Sequence, residues 1–260
     1  MIDKVDLVMW TKNGAKFLRK VLKRIDEVIP PQFVGRRIMV DDHSEDNTVK
    51  VAKNFGWTVY ENRGRGLKDA IATALSYVSA DFFISVEHDV ILARDWWEKI
   101  PKYMEDERVA VAQGVRVATH NVLRKLDEYI VERKDICEDY LISIDNNIYR
   151  TSIIRVLGIN LLDHAKVKRE IEKKGMKWVV DRTVISDHIR HGIIASINHA
   201  YKMGLMTRGR LNRLKMFKLF LLSPLRAMHI TFKKKSPEII VVYPLIRLAI
   251  LKAELERCEI

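Results

Sequence analysis

Short apolar runs alternate with helical patterns over the first 115 residues of the chain. The apolar runs predict strands at Val5–Trp10, Arg37–Val40, Trp57–Tyr60, Phe82–Val86 and Val109–Val111. Apolar residues at helical spacing predict helices at Phe17–Ile29, Asn47–Phe55 and Gly66–Val78. Strands and helices that alternate in this way are typical of an α/β fold with a mostly parallel central sheet and helices on both of its faces.

The pattern changes after Gly114. It predicts helices at Leu123–Ile136, Ile153–Gly158, Lys166–Lys174 and Arg182–His191, and strands within Tyr140–Tyr149 and at Trp178–Val180. Two basic amphipathic segments follow, Leu211–Phe232 and Glu238–Leu255. We therefore expect three parts: residues 1–115, residues 116–200 of the same domain, and a basic helical extension at 201–260.

The formal net charge of the chain is +12, and most of the excess lies near its C-terminus. Between Tyr201 and Ile260, 13 lysines and arginines outnumber 4 aspartates and glutamates. Because these cations alternate with large apolar residues, we expect the segment to lie on an anionic membrane surface. A helical subdomain packed on protein is the alternative. A nucleic-acid partner fits less well, because the segment lacks the aromatic pattern of single-strand binders.

Cysteines and the N-terminus bear on the compartment. The chain has two cysteines, Cys137 and Cys258, which favour neither a disulfide framework nor a cysteine zinc site. Charged residues at Asp3, Lys4 and Asp6 argue against a signal peptide, and no apolar run of about 18 residues predicts a membrane span. We expect a cytoplasmic protein that associates peripherally with the cytoplasmic face of a membrane.

Polar residues follow four of the predicted strands. They are Thr11 and Asn13, then Asp41 and Asp42, then the segment Asn62–Gly66, and then Glu87–Asp89. In parallel α/β sheets, ligands bind beyond the carboxyl ends of the strands. A folded core needs no such residues there, whereas a nucleotide diphosphate and a metal ion would use them.

The types of these residues suggest separate tasks. Glu87 and Asp89 can share a hard divalent cation, Mg²⁺ or Mn²⁺, although Asp89 can also be read as a helix N-cap. Asp41 or Asp42 can accept hydrogen bonds from a base or a ribose. The glycines of the segment Asn62–Gly66 allow the backbone to approach phosphate groups closely, and Arg65 or Lys68 could also bind the phosphates.

Four motifs in this order resemble glycosyltransferase family 2: Trp10-Thr11-Lys12-Asn13, Val40-Asp41-Asp42-His43-Ser44-Glu45-Asp46-Asn47-Thr48, Glu61-Asn62-Arg63-Gly64-Arg65-Gly66 and Glu87-His88-Asp89. The resemblance implies a GT-A fold, a nucleoside-diphosphate sugar donor, a divalent metal ion and inversion at the anomeric carbon. Residues 1–115 would then bind the donor, and residues 116–200 the acceptor. Many members of the family glycosylate lipid carriers, so we expect a lipid-linked acceptor such as a polyprenyl phosphate, or a glycan.

The resemblance and the residue chemistry together assign roles by position. The expected donor contacts are Thr11, Asn13, Asp41, Asp42, Asn62, Arg65, Lys68, His88 and Gln113. Glu87 and Asp89 match the Asp-x-Asp metal motif of the family, with glutamate in place of the first aspartate.

The family also carries a Glu-Asp pair about eleven residues before a glycine that ends the next helix. Asp181, preceded by Val180 and followed by Gly192, matches that spacing without the glutamate. We therefore expect Asp181 to be the base that takes the proton of an acceptor hydroxyl, with Asp187 as the second choice and a helix cap as the alternative role.

Three histidines, His188, His191 and His199, lie on or after a predicted helix, and we expect them in surface or packing roles. A sugar-nucleotide nucleotidyltransferase is an alternative function, although its usual glycine-rich first loop is reduced here to Gly14. A non-catalytic scaffold is another, because Glu87 and Val180 depart from the family pattern.

Overall fold

The computed structural model describes residues 2–133, 141–158, 161–189, 192–206 and 213–256. The chain forms two compact units. The first unit comprises Met1–Arg116 and Lys134–His188, and the second comprises Val117–Arg133 and Ile189–Ile260. The helical C-terminal unit thus begins before residue 201, where we expected its boundary, and it includes a helix from the middle of the sequence.

An eight-stranded sheet contains most of the strand residues of the first unit. Its strands are β1 (Val5–Thr11), β2 (Val34–Asp41), β3 (Thr58–Glu61), β4 (Phe82–Ser85), β5 (Val90–Ile91), β6 (Val109–Ala118), β7 (Asn147–Arg150) and β8 (Lys177–His188). They lie in the order β3-β2-β1-β4-β7-β6-β8-β5. The sheet therefore places the turn after β4 next to strands that come from much later in the sequence.

The two halves of the sheet differ in strand direction. β1 runs parallel to β2 and β4, and β2 runs parallel to β3. β4 and β7, β6 and β7, and β5 and β8 are antiparallel pairs. The prediction of a mostly parallel sheet is thus correct for the first half and wrong for the second, because β7 enters the sheet beside β4 from the opposite direction.

Six α-helices accompany the described strands of the first unit: α1 (Ala15–Val28), α2 (Thr48–Asn54), α3 (Leu67–Tyr77), α4 (Trp96–Lys99), α6 (Thr151–Leu157) and α7 (His164–Lys173). Two 3-10 turns, Pro31–Phe33 and Pro101–Glu105, complete them. α1 buries Leu18, Val21, Leu22 and Ile25, whose spacing predicted the helix.

β1 is buried along its whole length and contains one charged side chain, Asp6. The two carboxylate oxygens of Asp6 accept hydrogen bonds from the backbone N–H groups of Arg36, Ser79 and Ala80. These bonds satisfy the buried charge and join β1 to the starts of β2 and β4. Asp6 is therefore a structural residue at the opposite end of β1 from Thr11.

The second unit is helical apart from the last residues of β6. Its helices are α5 (Asn121–Glu132), α8 (Ile193–Met206), α9 (Arg213–Leu221), α10 (Ser223–Lys234) and α11 (Ile239–Leu255). α5, α10 and α11 share a core that includes Leu126, Ile230 and Ile239. The segment predicted at Leu211–Phe232 is split into two helices near Leu222, and α8 was not predicted.

Many large apolar side chains of the second unit face solvent. On α10 they are Leu225, Met228 and Phe232, and Phe232 is 89% exposed. Their spacing of three and four residues places them on one stripe of the helix, whereas Ala227 and Ile230 are buried. Within the described residues, every helix is too short or too polar to cross a bilayer.

Candidate active site

The first three strands end level with one another at one edge of the sheet. The register pairs Thr11 with Asp41, and Asp41 with Glu61. The backbone N–H of Asp42 donates to Thr11 O at 2.8 Å, and the N–H of Asn62 donates to Asp41 O at 2.9 Å. The structure thus brings together Thr11, Asp41, Asp42 and Asn62, as the sequence predicted, and we call them the β1–β3 cluster.

Asp42 is the best-anchored carboxylate of this cluster. Its Oδ1 accepts hydrogen bonds from Asn62 Nδ2 at 2.7 Å and from the Gly66 N–H at 3.0 Å, and Lys12 Nζ lies 3.7 Å from Oδ2. Burial alone would raise the pKa of Asp42, but these hydrogen bonds and the nearby cation outweigh it and hold the pKa below its ordinary value. Asp42 is therefore an ionised anchor for the loop before α3.

Thr11 and Asp41 are also buried, but each has an acceptor without a partner. Thr11 Oγ1 and Asp41 Oδ1 form no hydrogen bond with any described residue, although Asp41 Oδ2 accepts from the Ser44 N–H at 2.9 Å. His88 Nδ1, in the turn after β4, is likewise buried without a partner. A buried polar atom left unpaired costs about 1–3 kcal/mol, so these three atoms could each gain from a hydrogen bond to a polar ligand.

Asn13 joins two loops, and its side-chain carbonyl oxygen is engaged in a hydrogen bond within the protein. It adopts a left-handed backbone conformation with φ of 52°. Its N–H donates to Ser44 Oγ at 2.8 Å, and its Oδ1 accepts from the Glu45 N–H at 2.9 Å. Gly14 N–H donates to Thr48 Oγ1 at 2.8 Å. Asn13 thus links the β1–α1 and β2–α2 loops, and its expected contact with the donor stays a prediction.

Arg65 and Lys68 are exposed near the start of α3. The backbone N–H of Arg65 donates to Asp69 Oδ2 at 3.1 Å, which fixes the loop and leaves the guanidinium outside that bond. Lys68 lines an apolar groove between α3 and α6, together with Ile71 and Ile154. The structure therefore does not join either cation to the β1–β3 cluster.

A second group of polar side chains forms where β4 and β8 end. Glu87 and Asp89 lie in the turn between β4 and β5, and β5 pairs with the end of β8 through Val90 and His188. One ligand atom from each of Glu87, Asp89 and His188 lies within 4.8 Å of the other two. We call these three residues the β4–β8 cluster. Asp89 is not a helix cap, because β5 follows it directly.

His188 was expected in a surface or packing role, and the structure places it in the cluster. Its Nε2 lies 3.4 Å from Asp89 Oδ2. Burial opposes ionisation of Asp89, but the hydrogen bond from His188 and its charge hold the pKa of Asp89 below its ordinary value. Two carboxylates and an imidazole, all partly accessible, suit a divalent cation such as Mn²⁺.

The predicted helix at Arg182–His191 is wrong, because β8 continues to His188. The buried residues of β8 include Trp178, Val180, Val184 and Ser186, which alternate with more exposed positions. This period of two is the sequence signal that could have located His188 on the same face as Ser186. Arg190 and His191 lie outside the described residues, as do Cys137 and Cys258.

Arg116, near the end of β6, contacts two acidic side chains at this edge. Its Nη1 lies 3.2 Å from Glu87 Oε2, and 2.6 and 2.8 Å from the two oxygens of Asp145. Burial raises the pKa of Asp145 to about 7, although Arg116 opposes the shift. Burial also raises the pKa of Glu87, and Arg116 again opposes the shift, whereas the charge of Asp89 adds to it. Neither Arg116 nor Asp145 was predicted from the sequence.

The structure does not bring Asp181 to either cluster. Asp181 lies within β8, seven residues before His188, which at about 3.3 Å per residue corresponds to a separation of about 23 Å. Its Oδ1 accepts from the N–H and Oγ1 of Thr183, at 2.8 and 2.7 Å, and Tyr103 OH donates to its Oδ2 at 3.0 Å. These bonds, opposed by burial, lower the pKa of Asp181. Its surroundings indicate a structural role.

Gln113 is also placed away from a ligand-binding role. Its side chain is fully buried in β6. Its Oε1 accepts from Trp178 Nε1 at 2.8 Å, and its Nε2 donates to the carbonyl groups of Gly114 and Leu141, both at 3.0 Å. Because both ends of the amide are engaged within the sheet, the expected contact of Gln113 with a donor sugar is not supported.

The fold and the two clusters define a GT-A glycosyltransferase. The sequence model of glycosyl transferase family 2 matches residues 6–163, more than half of the chain. The chain therefore belongs to glycosyl transferase family 2. No curated protein matches it in sequence.

Solved structures share the fold at low sequence identity. The mannosyltransferase PcManGT from Pyrobaculum calidifontis, solved with GDP-Man and Mn²⁺, is 18% identical, with a TM-score of 0.62 over 96% of this chain and 73% of that one. TarS 1-349 from S. aureus, solved with UDP-GlcNAc, is 14% identical, with a TM-score of 0.57 over 90% and 75%. Glucosyl-3-phosphoglycerate synthase from Mycobacterium tuberculosis, solved with Mn²⁺, UDP and glucosyl-3-phosphoglycerate, is 12% identical, with a TM-score of 0.53 over 74% of each chain.

Proposed function

We propose that this glycosyltransferase moves a sugar from a nucleoside-diphosphate sugar to an acceptor, with inversion at the anomeric carbon. One observation carries the proposal: buried acceptor atoms without partners, on Thr11 and Asp41, lie at the same sheet edge as three side chains that could hold a cation. A nucleoside would satisfy the first and a metal-bound diphosphate the second. The relatives solved with GDP-Man, UDP-GlcNAc or UDP support this donor class.

In this proposal Glu87, Asp89 and His188 hold a divalent cation. Their oxygen and nitrogen donors fit Mn²⁺ better than Mg²⁺, because Mg²⁺ prefers a shell of oxygens alone. Such a cation would neutralise charge on the departing diphosphate. Thr11 and Asp41 would bind the nucleoside, and their burial would keep water away from the oxygen atoms that contact it.

The acceptor base is better assigned to Asp163 than to Asp181. Asp163 precedes α7 and accepts from the Lys166 N–H at 3.2 Å, and Gly175, with φ of 73°, follows the helix. This is the family's arrangement of an aspartate before a helix that ends at glycine. Asp187, the second choice, is next to His188 in β8, so the alternation of a strand points it to the opposite face.

The topology also directs the start of α7 toward the site. β7 is antiparallel to β4, so α6 begins at the far edge of the sheet. α7 ends near the start of β8, where the Lys177 N–H bonds to Arg108 O at that far edge. Ten helical residues span about 15 Å, so we expect Asp163 to lie back toward the edge that holds the clusters.

The acceptor in this proposal is carried by a membrane. The exposed stripe of Leu225, Met228 and Phe232 on α10 is accompanied by exposed Arg226 and Lys233. Apolar side chains flanked by cations suit an anionic bilayer, where each basic residue near the surface adds about 1 kcal/mol. A lipid-linked acceptor would then be presented at the cytoplasmic face.

The donor proposal is tested by thermal unfolding with UDP-, GDP- and dTDP-sugars, each with Mn²⁺, with Mg²⁺ or with EDTA. The cognate donor at one hundred times its Kd should stabilise the protein by about 2.7 kcal/mol in the presence of the cation. The same donor should be hydrolysed slowly or transferred to an added acceptor. An unchanged melting temperature with every donor and both cations would contradict the proposal.

The membrane proposal is tested by co-sedimentation with phosphatidylglycerol vesicles and with phosphatidylcholine vesicles. Replacing Leu225, Met228 and Phe232 by serine should abolish pelleting with the anionic vesicles. Val156→Ser, which removes an exposed apolar side chain from the first unit, is the control and should pellet normally. Equal pelleting of the triple variant would contradict a bilayer contact, and self-association lost in that variant would assign the stripe to a second copy of the chain.

A further inference from the structure

Asp145 is a buried carboxylate that none of the family motifs explains. Its side chain is 0% exposed, and it lies just before β7. The N–H of the next residue, Asn146, donates to Ser85 O at 2.8 Å, which fixes this segment beside the end of β4. A fully buried carboxylate is costly unless a cation and hydrogen bonds compensate it, so its partner identifies its task.

That partner is Arg116, and Arg116 is shared. The same nitrogen, Nη1, lies within 2.8 Å of both Asp145 oxygens and 3.2 Å from Glu87 Oε2. Glu87 follows β4, Asp145 precedes β7, and Arg116 lies near the end of β6. These strands are adjacent in the sheet, in the order β4-β7-β6. The three side chains therefore cross three adjacent strands at one edge.

Glu87 needs such support more than an aspartate would. Its additional methylene adds a rotatable bond, so ordering a glutamate side chain costs more conformational entropy than ordering an aspartate. A contact that orders Glu87 before the cation arrives lowers the free energy that binding must supply. Arg116 provides this contact only if Asp145 holds its guanidinium in place.

We propose that Arg116 and Asp145 form a positioning pair that holds Glu87 in its cation-binding orientation; this inference rests on the proposed cation site. Neither residue is a ligand in this arrangement. Asp145 orients Arg116, and Arg116 restrains one oxygen of Glu87. The pair compensates for the glutamate that stands where the family motif has an aspartate.

The test is a double-mutant cycle on Mn²⁺ affinity, measured by calorimetry without donor. Arg116→Lys keeps the charge but cannot form the same planar contacts, so the affinity should fall 10- to 100-fold, as for other residues that orient metal ligands. In a Glu87→Asp background, where the shorter side chain no longer reaches Arg116, the same change should alter the affinity less than threefold. Asp145→Asn should behave like Arg116→Lys.

Arg150→Lys is the matched control. Arg150 lies in β7 and donates to the carbonyl groups of Val109 and Met104, so its loss should lower the melting temperature and leave Mn²⁺ affinity unchanged. Equal Mn²⁺ affinities of Arg116→Lys and the wild type, or equal losses with Glu87 and with Glu87→Asp, would overturn the positioning role alone. Failure of the wild type to bind Mn²⁺ would overturn the cation site as well.

Discussion

The two clusters at the sheet edge are built in opposite ways. The β1–β3 cluster comes from consecutive strands, and backbone N–H groups hold its carboxylates, as Gly66 holds Asp42 and Ser44 holds Asp41. The β4–β8 cluster joins distant segments, and its order depends on charge: Asp89 with His188, and Glu87 with Arg116. The first cluster is held by backbone hydrogen bonds, and the second by contacts between charged side chains.

This difference implies that nucleoside binding and cation binding can be separated by mutation. The first should persist when the cation is removed, and the second should persist when the nucleoside contacts are weakened.

The largest effect is expected from Asp89→Ala. The loss of a cation ligand should remove several kcal/mol of charge stabilisation at the leaving diphosphate, roughly a thousandfold or more in kcat. Mn²⁺ titration should show no binding, while free nucleoside still binds in EDTA. Glu98→Gln removes an exposed acidic charge on α4 and should leave both kcat and Mn²⁺ binding unchanged. Retained Mn²⁺ binding in Asp89→Ala would show that the cluster is not a cation site.

A smaller but specific effect is expected from Asp163→Asn. If Asp163 takes the proton of the acceptor, transfer should fall by about a hundredfold or more, because a positioned base contributes 10²–10⁴-fold. The affinities for donor and Mn²⁺ should not change, since the residue belongs to neither cluster.

Asp181→Asn is the matched variant for that experiment. Its carboxylate bonds to Tyr103 and Thr183, so we expect a lower melting temperature and transfer within a few-fold of the wild type. The reverse result, with transfer lost in Asp181→Asn and kept in Asp163→Asn, would restore Asp181 as the base.

Asp41→Ala should affect the nucleoside alone. A hydrogen bond to a charged group contributes about 1.5–3 kcal/mol, so the affinity for the matching nucleoside diphosphate should fall by about ten- to a hundredfold. Calorimetry in the presence of EDTA measures the nucleoside affinity without a contribution from the cation. Glu45→Ala, an exposed residue in the same loop, should bind as the wild type does. A loss of Mn²⁺ affinity in Asp41→Ala would mean that the clusters are not independent.

The same contrast explains how much of the protein was predictable. Apolar periodicity located β1 to β4, α1 and α3, and the residues just after those strands gave Thr11, Asp41, Asp42 and Asn62. Such local connections leave each strand end close to the next in sequence and in space. The glycosyltransferase family followed from these residues because its motifs lie in the same connections.

The second cluster was only half visible in the sequence. Glu87 and Asp89 were found because they follow β4, but His188 was assigned to a helix that is in fact part of β8. Arg116 lies on β6 and Asp145 just before β7, and they meet Glu87 only because β7 pairs with β4, which is distant from it in sequence. Antiparallel insertion of β7 decides these contacts, and no local pattern specifies it.

The smallest predicted effect concerns the preformed nature of the β1–β3 cluster. A Cβ on Gly14 would lie 2.8 Å from both Thr11 Oγ1 and His88 Cγ, so Gly14→Ala must displace one of them. Overpacking of this kind costs about 1–3 kcal/mol of stability. Because the displaced groups carry the buried unpaired atoms, affinity for the nucleoside diphosphate in EDTA should fall as well, by a few-fold.

Gly35→Ala separates the two consequences of that change. A Cβ on Gly35 would lie 2.7 Å from Asp6 Oδ1, at the opposite end of β1 from Thr11, so it should destabilise the fold to a similar degree. Its nucleoside affinity should match the wild type once measured well below the melting temperature. Equal loss of nucleoside affinity in the two variants would mean that Gly14→Ala acts through global stability. The close approach of Gly14 to Thr11 and His88 would then have no specific part in nucleoside binding.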